Sequence, residues 1–476
     1  MSEYGLESPF VRSLDEEIMA VIRAGVDQRD EALFDDLALR EFRVQYHANP
    51  VYRAFCQERS VSPETVSAWP EIPPLPMRYF KEQVVSSVPL DQAELQYMSS
   101  GTTNPETRTR VYRDERCREM VYEANRVSTR AYLFPEVDRM PILLFVPSPE
   151  LVPMMGMAVG LTVMRDAFGT PDSCYLIGPE GLDFRTLYRR LFAAEETGQP
   201  IALIGATSGF VYLFNQLAQQ KLRFKLPAGS RIADGGGYMG TFGDCSREEY
   251  LAQCEEYLGV PPEYCVNTLG MAECGQNYCD NVLRAKVAGR PAVVRYKPAL
   301  PWTRVMVVDP ATGRRLPKGE PGLICHYDLT NRAGVVAVLT DNAGYEVEDG
   351  FEILGRAATV LATCSQTADR LLAEGHSTHP CSTAADQLLA GAQSAHPCST
   401  VADRLLAAGA HSAHPCSTAA DQLLGNTCQA VAERMLAAGA PSFVVEMVKR
   451  KLAAGEQVRH PFPMKPGQQD PAAGGR

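Results

Sequence analysis

Between residue 97 and about residue 330, short apolar runs alternate with helical patterns, and this alternation limits the possible folds more than any other feature of the chain. The runs PILLFVPS (141–148) and IALIGATSGF (201–210) are typical of buried strands. The stretches GFVYLFNQLAQQ (209–220) and REEYLAQCEEYLG (247–259) are typical of helices. Strands and helices in alternation predict a layered α/β architecture.

The flanking segments predict smaller elements. Residues 12–60 carry the apolar spacing of two or three amphipathic helices, whereas the proline-rich stretch 69–87 cannot be helical at its start. Residues 303–329 predict a hairpin with a glycine turn, followed by another strand. The run GFEILGR (350–356) predicts a short strand that ends at a glycine, and the composition changes just after it.

From residue 364 the chain repeats itself. The first three units are near-copies of 17, 17 and 18 residues, and a shorter fourth and a divergent fifth unit follow. The units begin at Cys364, Cys381, Cys398, Cys416 and Cys428. In the first four units a serine after the cysteine stands at an N-cap position, and an Ala- and Leu-rich run of about two helical turns comes next. Repeats of this length predict a small helical array.

Three regions follow from this organisation: a large α/β domain over 1–355 with a helical lead-in, a small C-terminal region over 356–455, and a disordered tail over 456–476. The net charge of −11 argues against a nucleic-acid-binding surface. No apolar stretch reaches the roughly 18 residues of a membrane span, and the N-terminus lacks the features of a signal peptide. We therefore expect a cytoplasmic protein whose 14 cysteines are mostly thiols.

The first candidate site is a run of small hydroxyl and glycine residues, Ser99, Ser100, Gly101, Thr102 and Thr103. A loop of this kind between a strand and a helix would present backbone N–H groups at a helix N-terminus, where phosphate binds. Its hydroxyls can bond phosphate oxygens or hold Mg²⁺, and a glycine lets the backbone approach closely. The lysine of the common phosphate loop is absent. A serine- and threonine-rich turn without a ligand is the alternative.

This run and four later motifs, in the same order along the chain, resemble the adenylate-forming enzymes. The run resembles their phosphate loop, S-S/T-G-T-T-G-x-P-K, with Arg108 and Arg110 near the position of the missing lysine. The later motifs are DGGGYMG (234–240), NTLGMAECG (267–275), LICHYDLTNR (323–332) and DGFEILGR (349–356). Several motifs in family order are far more specific than any one of them.

The resemblance implies ATP and Mg²⁺ as cofactors and a role for each motif. Ser99 to Thr103 would bind the triphosphate, and Gly235, Gly236 and Gly237 would contact the adenine. Glu273 would help to hold Mg²⁺, with Thr103 acting through the phosphates. Asp328 and Arg356 would bind the ribose, and Gly355 would be the hinge before the small C-terminal domain. The alternatives are a surface carboxylate for Glu273, a tight turn for the glycines and a helix cap for Asp328.

A narrower resemblance is to the acyl-protein synthetase family, the fatty-acid-activating component of the bacterial Lux fatty acid reductase. The segments IPPLPMRYFKEQ (72–83), 328–357 and CSQTADRLL (364–372) carry it. It implies that a long-chain fatty acid is activated with ATP, passed to a cysteine of the chain and delivered to an acyl reductase subunit. Cys364 is the implied acceptor, and a position near a helix start would lower its thiol pKa. Its alternative is a small buried hydrophobic side chain.

Other interpretations stay open at this point. The acceptor could be coenzyme A or a carrier-protein thiol, or the chain could be a non-catalytic relative that binds a nucleotide or a partner. The absence of lysine between Arg356 and Met447 favours the non-catalytic interpretation, because adenylating enzymes often carry a C-terminal catalytic lysine. The repeats could be additional acyl acceptors, a zinc site built from HSTHPC (376–381) and HSAHPC (411–416), or a tandem duplication. The stretch PMMGMAVGLTVM (153–164) could line an acyl pocket or belong to the core.

Overall fold

The structure of the protein is a computed structural model in which two compact units are described. The described residues are 3–98, 109–153, 155–179, 181–237, 245–291 and 293–357. Within them, one unit holds 3–304 and 326–338, and the other holds 305–325 and 339–357. The domain boundary at residue 355 stays a prediction. The helical array and the tail lie outside the described residues.

The lead-in forms three helices, as the apolar spacing predicts: α1 (Pro9–Arg23), α2 (Glu31–Ala48) and α3 (Pro50–Gln57). Each begins behind a polar side chain that accepts a backbone N–H of the first turn, a common way to start a helix. The proline-rich segment starts with the 3₁₀ turn η1 (Trp69–Glu71), so the prediction of a non-helical start was wrong. Pro70 lies within the first turn, where no backbone N–H is needed.

The chain then alternates between strands and helices. Further helices are α4 (Arg78–Glu82), α5 (Glu115–Tyr132), α6 (Gly156–Phe168), α7 (Phe184–Thr197), α8 (Thr207–Gln220), α9 (Arg247–Leu258) and α10 (Val282–Val287), with the 3₁₀ turns η2 (Pro262–Tyr264) and η3 (Leu329–Asn331). The strands are β1 (Leu75–Pro76), β2 (Glu94–Met98), β3 (Arg110–Arg113), β4 (Ile142–Phe145), β5 (Cys174–Tyr175), β6 (Ile177–Gly178), β7 (Gly181–Leu182), β8 (Ala202–Ala206), β9 (Arg231–Gly235), β10 (Cys265–Leu269), β11 (Tyr278–Cys279), β12 (Lys297–Pro298), β13 (Thr303–Val308), β14 (Gly322–Asp328), β15 (Ala337–Val347) and β16 (Gly350–Arg356).

The centre of the first unit is a sheet of order β11-β10-β9-β8-β4-β5. Strands β4, β8, β9 and β10 run parallel, and β11 is antiparallel to β10. Every residue of β4 is buried, which is expected for a parallel strand covered on both faces. The predicted strands at 141–148 and 201–210 are confirmed, although the second ends at Ala206 and continues as α8.

Helices α8 and α9 supply much of the core beside this sheet, and both were predicted from the sequence. The apolar face of α8 buries Phe210, Leu213 and Leu217. Helix α9 starts with a capping box in which Ser246 and Glu249 each accept a backbone N–H of the other, and it ends at Gly259 in the left-handed region. These signals confirm the α/β class and place the sheet where its strand ends can carry a site.

The second unit is built from strands in the order β16-β15-β14-β13. A bridge between Val308 and Arg315 closes a turn at Gly313, which has a φ of 69°, so the predicted hairpin is confirmed. Strand β16 pairs antiparallel with β15 and confirms the strand predicted at 350–356, which runs on through Gly355 at a φ of 140°.

Two predictions about the chain as a whole concern membranes and cysteines. Among the described helices, none is long and apolar enough to cross a bilayer. The cysteines of the described residues are all free thiols, so the prediction of thiols rather than disulfides is confirmed for them.

Candidate active site

The hydroxyl run 99–103 lies outside the described residues, but the strands on either side of it are defined. Strands β2 and β3 pair antiparallel, with Met98 opposite Arg110. The prediction that the run connects a strand to a helix was therefore wrong. Within β3, Val111 and Arg113 are buried whereas Arg110 and Tyr112 are more exposed, and this two-residue period belongs to a strand. Helix α5 begins only at Glu115, so it does not supply the predicted helix N-terminus.

The carboxylate of Glu273 contacts Thr109. Thr109 follows directly on residues 99–108, and its hydroxyl donates to Glu273 Oε1 at 2.5 Å. Thr109 is fully buried and Glu273 is 4% exposed, so the alternative of a surface carboxylate was wrong. A buried carboxylate therefore contacts the first described residue after 99–108.

The loop that carries Glu273, residues 270–277, is held through its backbone. Asn331 donates its amide to the Glu273 carbonyl oxygen at 2.8 Å. Asn125 of α5 donates to the Gly275 carbonyl oxygen at 2.8 Å and accepts the Asn277 N–H at 2.9 Å. These contacts come from elements far apart in the sequence and fix the path of the loop.

Packing also restricts the loop at Gly275 and Gln276. A Cβ at Gly275 would lie 2.3 Å from Thr330 Oγ1, so only glycine fits without displacing its neighbours. The side chain of Gln276 donates to Ser128 Oγ at 3.0 Å and accepts the Trp302 indole N–H at 2.9 Å. The loop is therefore enclosed on several sides.

Asp328 takes a central place in this enclosure. Its Oδ2 accepts the backbone N–H of Gly275 at 2.9 Å and that of Gln276 at 2.8 Å. Its Oδ1 accepts the backbone N–H and the hydroxyl of Thr330, at 2.9 and 2.6 Å. An ionised carboxylate offers about four lone-pair sites, and these four bonds use them.

This geometry confirms the alternative in which Asp328 caps a helix, because it is the N-cap of η3. Asp328 is 1% exposed. Burial raises the pKa of its carboxyl group, although the hydrogen bonds from Thr330, Gln276 and Gly275 oppose that rise. Ribose binding by Asp328 therefore stays a prediction that its position does not favour.

The turn around Asp328 is anchored on its far side by charged groups. Arg332 donates to Asp15 Oδ1 and to Asp114 Oδ1, each at 2.8 Å. The nearby Glu41 is fully buried, and burial first, then the charge of Asp328, raises the pKa of its carboxyl group well above the usual range. Helices α1, α2 and the start of α5 thus support the turn.

A second buried aspartate lies at the carboxyl ends of β8, β9 and β10, the edge where open α/β sheets bind ligands. Asp234 Oδ2 accepts the Thr207 hydroxyl at 2.7 Å and the Asn267 amide at 2.8 Å. Burial raises the pKa of Asp234 to about 6. The same amide lies 3.2 Å from the Gly236 carbonyl oxygen, and Gly236 has a φ of 115°.

The glycines of the predicted adenine loop occupy this edge. Gly235 is the last residue of β9, and Gly236 and Gly237 are exposed after it. Gly236 has a positive φ, which favours glycine at that position, and the tight turn stays an alternative. Adenine contact stays a prediction.

Asn267 is itself oriented by a buried ion pair. Lys297 Nζ donates to the Asn267 side-chain oxygen at 3.0 Å and to Asp280 Oδ1 at 2.8 Å. Arg295 donates to Asp280 Oδ2 at 2.6 Å. Burial would raise the pKa of Asp280, but Lys297 and Arg295 outweigh it and lower that pKa. Because Lys297 binds the side-chain oxygen of Asn267, the NH₂ group of Asn267 faces Asp234.

The remaining candidate residues belong to other parts of the chain. Arg356 is an exposed residue at the end of β16, in the second unit. Cys364 and the proposed zinc motifs lie outside the described residues. Among the residues that the structure does describe, there is no group of three or more His, Cys, Asp or Glu side chains that could hold a metal ion. The stretch 153–164 lies largely in α6, whose residues are mostly half-buried, so its role stays open.

Several residues of the site were not predicted from the sequence. They are Thr109, Asn125, Thr207, Asp234, Asn267, Asn331 and Lys297. Thr109 lies six residues after the hydroxyl run and belongs to none of the quoted motifs. Asn267 and Asn331 lie within two of the quoted motifs, but their contacts, like that of Asn125, are with residues distant in sequence, and no sequence pattern predicted them.

Solved structures define the class of fold. An open conformation of 2-hydroxyisobutyryl-CoA ligase, in complex with 2-HIB-AMP and CoA, is similar with a TM-score of 0.51 and 15% identity, over 70% of this chain and 72% of that one. The same ligase in its postadenylation state gives a TM-score of 0.51 and 14% identity, over 71% and 70% of the two chains. The fold is therefore that of an adenylate-forming ligase, as predicted.

Sequence comparison narrows the class to a family. The profile described as acyl-protein synthetase, LuxE, matches residues 16–371. The chain belongs to the acyl-protein synthetase family, LuxE. The long-chain-fatty-acid–luciferin-component ligase of Vibrio harveyi is 22% identical over 337 residues, which cover 70% of this chain and 84% of that protein. The corresponding ligase of Aliivibrio fischeri is 21% identical over 320 residues, 67% and 80% of the two chains.

These findings confirm the predicted family, the adenylate-forming fold and the enzyme class of a ligase. A cytoplasmic location, ATP and Mg²⁺ as cofactors and an acyl reductase partner stay predictions.

Proposed function

We propose that the protein activates a long-chain fatty acid with ATP as acyl-AMP, transfers the acyl group to the thiol of Cys364, and delivers it to an acyl reductase. Membership of the acyl-protein synthetase family supports the reaction class. The names of the relatives from Vibrio harveyi and Aliivibrio fischeri support a long-chain fatty acid as the substrate.

The observation that carries the proposal is the buried carboxylate of Glu273 next to Thr109. A carboxylate is the ligand type that Mg²⁺ prefers. The resemblance assigns the triphosphate to Ser99 to Thr103, which lie a few residues before Thr109 in the sequence. Bound there, Mg²⁺ would offset the charge on the phosphates.

In the first step, an oxygen of the fatty acid carboxylate attacks the α-phosphorus of ATP. The bond to the pyrophosphate oxygen breaks, and pyrophosphate leaves with its electron pair. The product is a mixed anhydride of the acid and AMP. Glu273 would keep the metal in place, and the Thr109 hydroxyl would hold the orientation of Glu273 by donating to it.

In the second step, a thiolate attacks the acyl carbonyl carbon, a thioester forms and AMP leaves. Eight of the nine cysteines in the described part of the chain, all but Cys174, are buried and are poor candidates for this thiolate. Burial raises the pKa of Cys117, Cys245 and Cys279 to about 11, so these groups remain thiols at neutral pH. This supports an acceptor after residue 357, and the family resemblance singles out Cys364.

The experiment is incubation of the full chain with ATP, Mg²⁺ and a panel of fatty acids, with pyrophosphate release and protein mass measured in parallel. We expect pyrophosphate release and a hydroxylamine-sensitive acyl adduct on the peptide that begins at Cys364. Cys364→Ser should remove the adduct. Cys381→Ser is the matched control, because it changes the same residue in a near-identical repeat, and it should leave the adduct in place.

Two results would overturn parts of the proposal. Pyrophosphate release without an adduct would assign the acyl group to an external thiol such as coenzyme A or a carrier protein. Absence of pyrophosphate release with every acid would remove the adenylation step and leave a nucleotide- or partner-binding relative.

A further inference from the structure

We infer that Asp328 is a positioning residue for Glu273, which it controls through the backbone of residues 273–276. The inference rests on the proposed function, since it gives Glu273 its role at the metal. It differs from ribose binding, because it assigns Asp328 a contact within the protein instead of a contact with the nucleotide.

The first argument is the direction of the hydrogen bonds. Two consecutive backbone N–H groups, those of Gly275 and Gln276, converge on a single oxygen of Asp328. Two such bonds fix both the position and the rotation of the intervening peptide. Charge-assisted bonds of this kind are about twice as strong as neutral ones.

The second argument is that the same turn holds the loop at another point. Asn331, three residues after Asp328, donates to the carbonyl oxygen of Glu273 at 2.8 Å and to that of Val335 at 2.7 Å. The turn thus holds the loop at the Glu273 carbonyl and again at the two N–H groups beyond it. Little freedom is left at the Cα of Glu273, and its side chain lies against Thr109.

The third argument is that the turn has a rigid support. Thr330 donates twice to Asp328 and fills the space next to Gly275, where a Cβ would be only 2.3 Å from its hydroxyl oxygen. Arg332 ties the turn to Asp15 and Asp114. A displacement of Asp328 would therefore be passed to the loop instead of being absorbed by the turn.

The test is Asp328→Asn in the full chain. An asparagine keeps the shape, but it offers one acceptor oxygen and places an NH₂ group where N–H donors converge. We expect faster hydrogen exchange at the Gly275 and Gln276 amides and at least a tenfold rise in the Mg²⁺ concentration that half-saturates ATP–pyrophosphate exchange. The KM for the fatty acid should stay within about twofold.

Two further measurements separate this role from ribose binding. If Asp328 acts through Glu273, the variant Glu273→Gln/Asp328→Asn should lose little more activity than Glu273→Gln alone. The preference for ATP over 2′-deoxy-ATP should also survive in Asp328→Asn. Loss of that preference with unchanged loop exchange and unchanged Mg²⁺ dependence would overturn the inference in favour of ribose contact.

A milder variant covers the case in which Asp328→Asn does not fold. Thr330→Val keeps the shape of the side chain and removes only the hydroxyl that donates to Asp328. It should raise exchange at Gly275 and Gln276 and shift the Mg²⁺ dependence in the same direction by about threefold. Thr340→Val is the matched control, since it removes a buried hydroxyl that donates to the Ile324 carbonyl oxygen at 2.8 Å, and it should leave both readouts unchanged.

Hydrogen exchange keeps this test independent of the proposed function. If the wild type releases no pyrophosphate but Asp328→Asn still speeds exchange at 275–276, the adenylation proposal fails and the loop contact stands. If adenylation is observed and neither exchange nor Mg²⁺ dependence changes in Asp328→Asn, the positioning role fails and the proposed function stands.

Discussion

Buried side chains hold both the loop at 270–277 and the glycine loop at 234–237, but the first loop is held by a carboxylate and the second by an amide that an ion pair orients. Asp328 holds the first loop by accepting neutral donors, two of them consecutive backbone N–H groups. The second loop depends on Asn267, whose amide is oriented by Lys297 paired with Asp280. Neutral N–H donors fix the backbone of the first loop. The buried ion pair fixes the side chain of Asn267, and removal of either partner lowers the free energy of unfolding because the other charge stays buried without its partner.

The largest expected effect on stability is at the ion pair. Asp280→Asn would leave Lys297 and Arg295 without their carboxylate in a site where Asp280 is 3% exposed. We expect a loss of about 3–5 kcal/mol in the free energy of unfolding, measured by urea denaturation. The exposed pair Arg190–Asp172 is the control, and Asp172→Asn should change stability by less than about 0.5 kcal/mol. A loss at Asp280 as small as that at Asp172 would remove the contrast between the loops.

The next effect depends on pH and concerns Asp234. Burial raises its pKa in the folded protein from 3.8 to about 6, so the fold favours the neutral carboxyl group. Its contribution is therefore fully present below about pH 4 and is lost as the pH rises through 6, by about 3 kcal/mol in total. Relative to Asp234→Asn, the wild type should lose this stability between pH 4 and pH 7.

For Asp280, stability should change with pH in the direction opposite to that expected for Asp234. Its folded pKa is lowered, so its contribution is present above the unfolded pKa and is lost as the pH falls. The stability of the wild type relative to Asp280→Asn should therefore rise with pH over the acidic range. Profiles of the same sign for the two variants would show that the two aspartates share one environment.

A smaller effect is expected from packing at the first loop. Gly275→Ala would place a Cβ 2.3 Å from Thr330 Oγ1 and 2.9 Å from Val121 Cγ2. We expect a loss of about 1–3 kcal/mol in the free energy of unfolding. Gly160→Ala is the matched control, because a Cβ there meets nothing within 4 Å, and in a helix it should stabilise by up to about 1 kcal/mol. Equal tolerance at both positions would mean that the 270–277 loop is not tightly enclosed.

The sequence was informative where the signal is local or periodic. Alternating runs predicted β4, β8, α8 and α9. Motif order predicted the adenylate-forming fold. The hydroxyl loop was expected to lead into a helix, whereas the first described element after it is the strand β3, whose four residues carry too little periodicity to separate a strand from a helix.

The part of the site that could not be predicted depends on contacts between distant residues. Asp328 and the N–H groups that it accepts are 52 and 53 residues apart, and Asn125 and the Gly275 carbonyl oxygen are 150 residues apart. No periodicity or motif relates such pairs. The motif gave Asp328 a ligand-binding role, whereas its burial and its four hydrogen bonds became visible only in the folded chain.

The most direct test of the account is fatty-acid-dependent ATP–pyrophosphate exchange by the wild type and by Glu273→Gln. Glutamine preserves the shape of the side chain and removes the charge that would hold Mg²⁺. We predict robust exchange in the wild type and a loss of about 100-fold in the variant. Equal exchange by both proteins would contradict the assignment of Glu273 and of the site built around it.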